Sequence, residues 1–143
     1  MADTVSTNTI INGAATGGSK RAVVHMVCVS DGSGESLVVK ADRSAFILPG
    51  TTGQAPSKLH VASMRWNIQG FAYVTLFWDH TADDVIMRLS GNGYENFETY
   101  GCLRDPNTSG DTVTGAIGDV ILTSTGAASG ATYDITMELI LVP

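Results

Sequence analysis

Charge is what this chain has least of. Only 15% of its residues are Asp, Glu, Lys or Arg, against roughly 25% in an average soluble domain. Thr, Ser, Gly and Asn take the polar positions instead. A surface that is polar but weakly charged repels its own copies poorly, so the composition favours burial against copies of the chain or against a partner. The net charge of -6 arises from 14 acidic and 8 basic residues. The basic ones, Lys20, Arg21, Lys40, Arg43, Lys58, Arg65, Arg88 and Arg104, are scattered. Phosphate backbones are held by clustered cations that release counterions, so the expectation is no nucleic-acid partner. The same scarcity argues against an anionic membrane surface.

Cysteine is also scarce. Cys28 falls in a predicted strand and Cys102 in a predicted turn, and neither spacing nor flanking histidines give a zinc site. The expectation is two free thiols made in a reducing compartment, with buried Cys28 acting as a small hydrophobe. A disulfide between them stays open. The start, Met1-Ala2-Asp3-Thr4, has neither the charged nor the apolar region of a signal peptide, and no apolar run approaches membrane-spanning length. The expectation is a soluble chain made in the cytosol.

Helical spacing of apolar residues is absent as well, and what replaces it is alternation. From Lys58 to Asp79, Ala62, Met64, Trp66 and Ile68 point one way while Ser63, Arg65, Asn67 and Gln69 point the other. At 143 residues the chain suits one core, since smaller pieces would bury too little apolar surface. Turn clusters at regular spacing divide it into about eight strands, which predicts an all-β, single-domain antiparallel β-sandwich or jelly-roll. Residues 1–20 are set apart as an arm with at most a weak strand around Ile10 and Ile11, and 21–143 as the β domain. Arg21 to Ser30 is apolar on both faces, Val23, Val27 and Val29 against Val24, Met26 and Cys28, and needs cover on both sides. Further strands are expected at Glu35 to Ala41, Lys58 to Gln69, Phe71 to His80, Asp84 to Leu89, Glu95 to Tyr100, Asp119 to Thr125 and Ala131 to Val142. Around Gly70 the chain makes either a tight hairpin or one strand bent at a bulge. Asp42 to Ser57 and Gly101 to Gly118 are long loops.

No constellation for chemistry emerges. Asp79, His80, Asp83 and Asp84 crowd one turn and could hold a divalent cation, but Asp and Thr also end strands by bonding turn amides. Asp105 to Asp111 resembles a calcium loop without its closing Glu. No Gly-x-Ser-x-Gly elbow accompanies His25 or His60. The expectation is a non-enzymatic protein with no cofactor and no metal. Trp66 and Trp78 are in phase with apolar neighbours and read as core. Phe71, Tyr73 and Phe77 occupy the opposite face, as a sugar-stacking platform or a subunit interface; an interface would cover the larger apolar patch. The candidate interface residues are therefore Phe71, Tyr73 and Phe77, with Ile10 and Ile11 of the arm and Phe46 of the first long loop, although the stretch Phe46-Ile47-Leu48 also reads as tucked back onto the body as core packing.

The stretches Gly118-Asp119-Val120-Ile121-Leu122-Thr123-Ser124-Thr125-Gly126 and Tyr133-Asp134-Ile135-Thr136-Met137-Glu138-Leu139, with Met64-Arg65-Trp66-Asn67-Ile68 and Leu76-Phe77-Trp78-Asp79, resemble small virion proteins of tailed bacteriophages. Capsid decoration, or cement, proteins are among these. The likeness covers the last two thirds of the chain and transfers no catalytic residue. It implies a β-sandwich or jelly-roll made in the host cytoplasm that sits on the outer capsid surface, often as a homotrimer, and locks the major capsid protein subunits together. A tail, neck or fibre component and a carbohydrate-binding module are the alternatives.

Overall fold

A computed structural model of the chain describes residues 5–11, 13–80, 82–106 and 118–143. Its strands are β1 (Val5–Ile10), β2 (Arg21–Asp31), β3 (Val38–Ala41), β4 (Lys58–Gln69), β5 (Tyr73–Trp78), β6 (Asp84–Leu89), β7 (Asn92–Asn96), β8 (Val120–Thr125) and β9 (Ser129–Val142). They form two antiparallel sheets, in the order β1-β2-β9-β4-β7 and β3-β8-β5-β6. The antiparallel pairs β2·β9, β3·β8, β4·β7 and β5·β6 are nested one inside the next. A long hairpin ribbon rolled up on itself gives this order, so the sandwich is a jelly roll with β1 added at one edge.

Period-two alternation builds the core. In β9, Tyr133, Ile135, Met137, Leu139 and Leu141 are fully buried, while the intervening residues lie on the outer face. They meet Met26, Leu59, Met64, Leu76 and Leu122 from both sheets. Trp78 is buried, and its Nε1–H donates to Leu59 O across the sandwich at 3.2 Å. Trp66 lies half-buried at the margin, opposite Gly93 of β7. A Cβ at Gly93 would stand 2.5 Å from the indole, so glycine there makes the room the ring needs.

Several expectations give way. Within the arm, the strand foreseen around Ile10 and Ile11 runs over Val5–Ile10 and pairs with β2 from Val5↔Val29 to Ile10↔Val24, a ninth strand beside the eight expected. Neither a hairpin nor one bent strand surrounds Gly70. β4 and β5 lie in different sheets, and Gly70, at φ +84 and too close to Ala131 for a side chain, carries the chain from one to the other. The strand foreseen at Glu35 is shorter, because Leu37 takes φ +50 and extended structure starts only at Val38. The strand foreseen at Glu95 to Tyr100 lies earlier, at Asn92–Asn96. Asn96 then caps a 3-10 turn over Phe97–Tyr100 by accepting from the Glu98 N–H, and left-handed Gly101 ends it. The second cover expected for β2 is only partial among the described residues: Val23 and Val27 are half-buried and Val29 is 42% exposed. Cys28 is buried, Cys102 half-buried, and they form no disulfide with each other.

Candidate interaction surfaces

Strand register decides which apolar residues come together outside the core. On β8, Val120 and Leu122 point inward, so Ile121 between them points out. Ile121 pairs with Val39 on one side and Phe77 on the other, and Phe77 pairs with Val85. The result is an apolar row, Val39-Ile121-Phe77-Val85, crossing all four strands of the smaller sheet on its outer face. At about 4.8 Å between strands the row is about 14 Å wide. Val39 and Val85 at its two ends are 45% and 60% exposed, whereas Ile121 in the middle is 3% exposed because its neighbours shield it. Leu37 extends the patch at the β3 edge, 49% exposed and in the left-handed region. That conformation is costly for a residue with a side chain, and here it turns a leucine to solvent.

Of the sequence-derived candidates, Tyr73 and Phe77 share this face. The Arg88 guanidinium lies 4.1 Å from the Tyr73 ring centroid and covers one side of it. Phe71 does not join them. It precedes β5, and its ring turns inward to lie 6.0 Å from that of Tyr133. For Phe46 the core reading holds and the interface one does not: it is fully buried in the core, so it presents nothing to a partner. Ile10 and Ile11 are 39% and 60% exposed at the opposite sheet, far from Tyr73 in the strand order. The six residues are thus dispersed, and Val39, Ile121 and Val85 complete the patch in their place.

The outer face of the larger sheet has a different character. Arg21 holds Glu98 and Glu138 through its two terminal nitrogens, which raises its pKa mainly through those hydrogen bonds. His25 Nε2 lies 2.7 Å from Asp134 Oδ1, and Arg65 stacks 5.4 Å from the Tyr94 ring. A shallow depression among Val23, Ser63, Arg65, Tyr94, Thr136 and Glu138 lies between these groups. Arg21–Glu138 and His25–Asp134 pair across β2 and β9.

Two polar clusters are buried. Glu35 and Lys40 form an ion pair of 2.6 Å with side chains 0% and 2% exposed, and the Tyr133 hydroxyl donates to the other carboxylate oxygen. At the other end of the sandwich, His80 Nε2 lies 2.7 Å from Asp105 Oδ1, and both side chains are buried. A His and Asp pair becomes a catalytic relay only when a nucleophile bonds the second ring nitrogen. His80 Nδ1 is buried and has no hydrogen-bond partner among the described residues. Asp84 stands farther off, at 3.9 Å from Nε2. Burial pushes the Asp79 carboxyl above its ordinary range, helped by the neighbouring charge of Asp83 and opposed by His80. Asp119 is raised by burial too, against the Arg43 N–H that its Oδ1 accepts. His60 is lowered by burial and by Arg104 and Lys58. Among the described residues no group of three or more His, Cys, Asp or Glu side chains could hold a metal ion. The remainder of the calcium-like loop, 107–111, lies outside the described residues. Among them no helix is long and apolar enough to cross a membrane.

No protein-family model, curated protein or solved structure matches this chain.

Proposed function

We propose that the protein is a non-enzymatic structural component of a tailed-bacteriophage virion, a decoration protein that seats the outer face of its smaller sheet on the outside of the head and braces the major capsid protein. The observation that carries this reading is the apolar row Val39-Ile121-Phe77-Val85, exposed at both ends, on a sheet face where the Arg88 guanidinium lies over the Tyr73 ring. Contiguous apolar surface of this kind marks a binding face. The sequence resemblance supplies the setting, and the host cytoplasm is the place of synthesis. Many copies bound side by side on a lattice would gain from effective concentration, so a modest contact suffices for full occupancy. The sugar-binding alternative is weaker because Arg88 already occupies one face of Tyr73, the ring that would have to stack on a sugar.

The test is to incubate purified protein with undecorated heads, wash, and count retained copies. The parent chain should saturate. Val39→Glu with Val85→Glu should fold normally, since exposed substitutions cost within about 0.5 kcal/mol, yet bind at least about tenfold more weakly, a loss of about 1.4 kcal/mol. Equal retention of the two proteins removes this face from the reading, and failure of the parent chain to bind heads removes the reading itself.

A further inference from the structure

The two sheets have four edges, and three of them are guarded against strand addition. β7 carries Glu95 and runs directly into a 3-10 turn. β3 has only four residues and a register shift at Val39/Ala41. β6 carries Asp84 and Arg88 and is irregular opposite Leu76/Phe77. Shortness, charge and bulges are the devices by which natural sheets keep edges from pairing. β1 has none of them. Its sequence, Val5-Ser6-Thr7-Asn8-Thr9-Ile10, holds no charge, proline or glycine, and its six pairs with β2 run without a shift.

We infer that β1 is a pairing edge for a second copy of this chain, antiparallel and centred on Asn8. Backbone geometry fixes that centre. Ile11 N–H donates to Val23 O at 3.0 Å, so Ile11↔Val23 is a hydrogen-bonded pair. Alternation along the ladder then turns the N–H and C=O of Thr9, Thr7 and Val5 toward β2. Those of Ser6, Asn8 and Ile10 point away from β2, to the side where no other strand among the described residues pairs with β1. Two such edges match best about a two-fold axis through Asn8, with Asn8 opposite its own copy and Ser6 opposite Ile10 of the second chain. All the outward groups are then used, each pair exchanging two bonds. Sliding by two residues loses a pair. Identical strands bring identical charges together in such a contact, and a neutral strand is the one edge that escapes this repulsion.

The footprint bounds the strength. A strand of this length spans about 20 Å and a sheet edge is about 10 Å thick, giving about 200 Å² per partner, a quarter of the roughly 800 Å² of a standard interface. The contact is therefore weak in dilute solution and is best caught covalently. A two-fold contact also differs from the three-fold arrangement that the phage resemblance implies.

In a Cys102→Ser background, Asn8→Cys should oxidise to a disulfide-linked dimer, since α-carbons of a hydrogen-bonded antiparallel pair stand about 5.5 Å apart, within disulfide reach. Ser6→Cys alone should do so at least about tenfold more slowly, while Ser6→Cys mixed with Ile10→Cys should give the mixed dimer. Equal rates at 6 and 8, or no dimer from Asn8→Cys, overturn the inference. Asn8→Pro removes only an outward N–H, so it should leave the thermal midpoint in place and abolish association at high protein concentration in sedimentation. Association that survives Asn8→Pro, a stable three-copy species included, also overturns it. The inference does not depend on the shell reading, which is scored on the Val39 and Val85 variant.

Discussion

Removing the Lys40 ammonium should be among the most damaging single changes this fold can suffer. Lys40→Met keeps the length and apolar stem of the side chain and deletes its charge. What remains is the Glu35 carboxylate, fully buried, with one oxygen still bonded by the Tyr133 hydroxyl and the other stripped of its 2.6 Å partner. Breaking a buried pair from one side costs about 3–5 kcal/mol, because the orphaned charge keeps its desolvation penalty. Set against about 5–15 kcal/mol for a whole domain, this is a large share. At about 2–4 °C per kcal/mol for a chain near this size, the thermal midpoint should fall by roughly 6–20 °C. Urea unfolding monitored by tryptophan fluorescence would measure it, with an unchanged m-value showing that the denatured state is the same. The cycle is completed by Glu35→Gln, whose amide oxygen still accepts from Tyr133. The double variant should recover most of the loss, with a coupling of about 2 kcal/mol or more, as expected within one network. A single-variant loss under about 1 kcal/mol, or strictly additive effects, would refute the claim that this pair is desolvated and mutually dependent.

Two further outcomes follow from close contacts. Gly93→Ala drives a methyl into the Trp66 indole, and overpacking of this kind costs about 1–3 kcal/mol; a shifted Trp66 emission with lowered urea midpoint is expected, while an unchanged midpoint would mean the β7 edge yields freely. Asp119→Asn keeps an oxygen for the Arg43 N–H and removes a carboxyl whose pKa is raised by burial. A raised carboxyl binds its proton more tightly folded than unfolded, so it erodes stability as pH climbs from the ordinary 3.8 through the folded value. The variant should therefore lose less stability than the parent between pH 4 and pH 7, and identical pH dependence of the two urea midpoints would exclude this role.

Much of the fold is legible from two-residue periodicity. β9 is readable because Tyr133, Ile135, Met137, Leu139 and Leu141 alternate without a break, and Trp78 is readable as core because its whole strand is in phase. Phe46 and Phe71 show the limit. Both sit outside regular strands, where alternation assigns no face, and local chain direction sends both inward. The apolar patch was half visible: Tyr73 and Phe77 belong to one strand, but Val39, Ile121 and Val85 join them only through a register set by strands far apart in the chain. The Glu35, Lys40 and Tyr133 cluster was hidden for the same reason, since a local pair is completed by a tyrosine nearly a hundred positions away. Positive φ at Leu37 has no sequence signal at all.

The nested ribbon has a consequence for synthesis. β9 lies between β2 and β4 in the middle of the larger sheet, yet it is made after every other strand of the sandwich. Until it emerges, β2 and β4 lack their shared neighbour, and the apolar faces of Val24, Met26, Leu59 and Met64 have little to close on. Within the ribbon, β5·β6 at its tip is a strand pair close in sequence, and contacts that zip outward from there end at pairs whose members are more than a hundred residues apart. Long-range pairing of this kind folds slowly and leaves strand edges open meanwhile. The neutral edge of β1 is then present on the ribosome before the sheet that it borders exists, and chains translated side by side meet through it first.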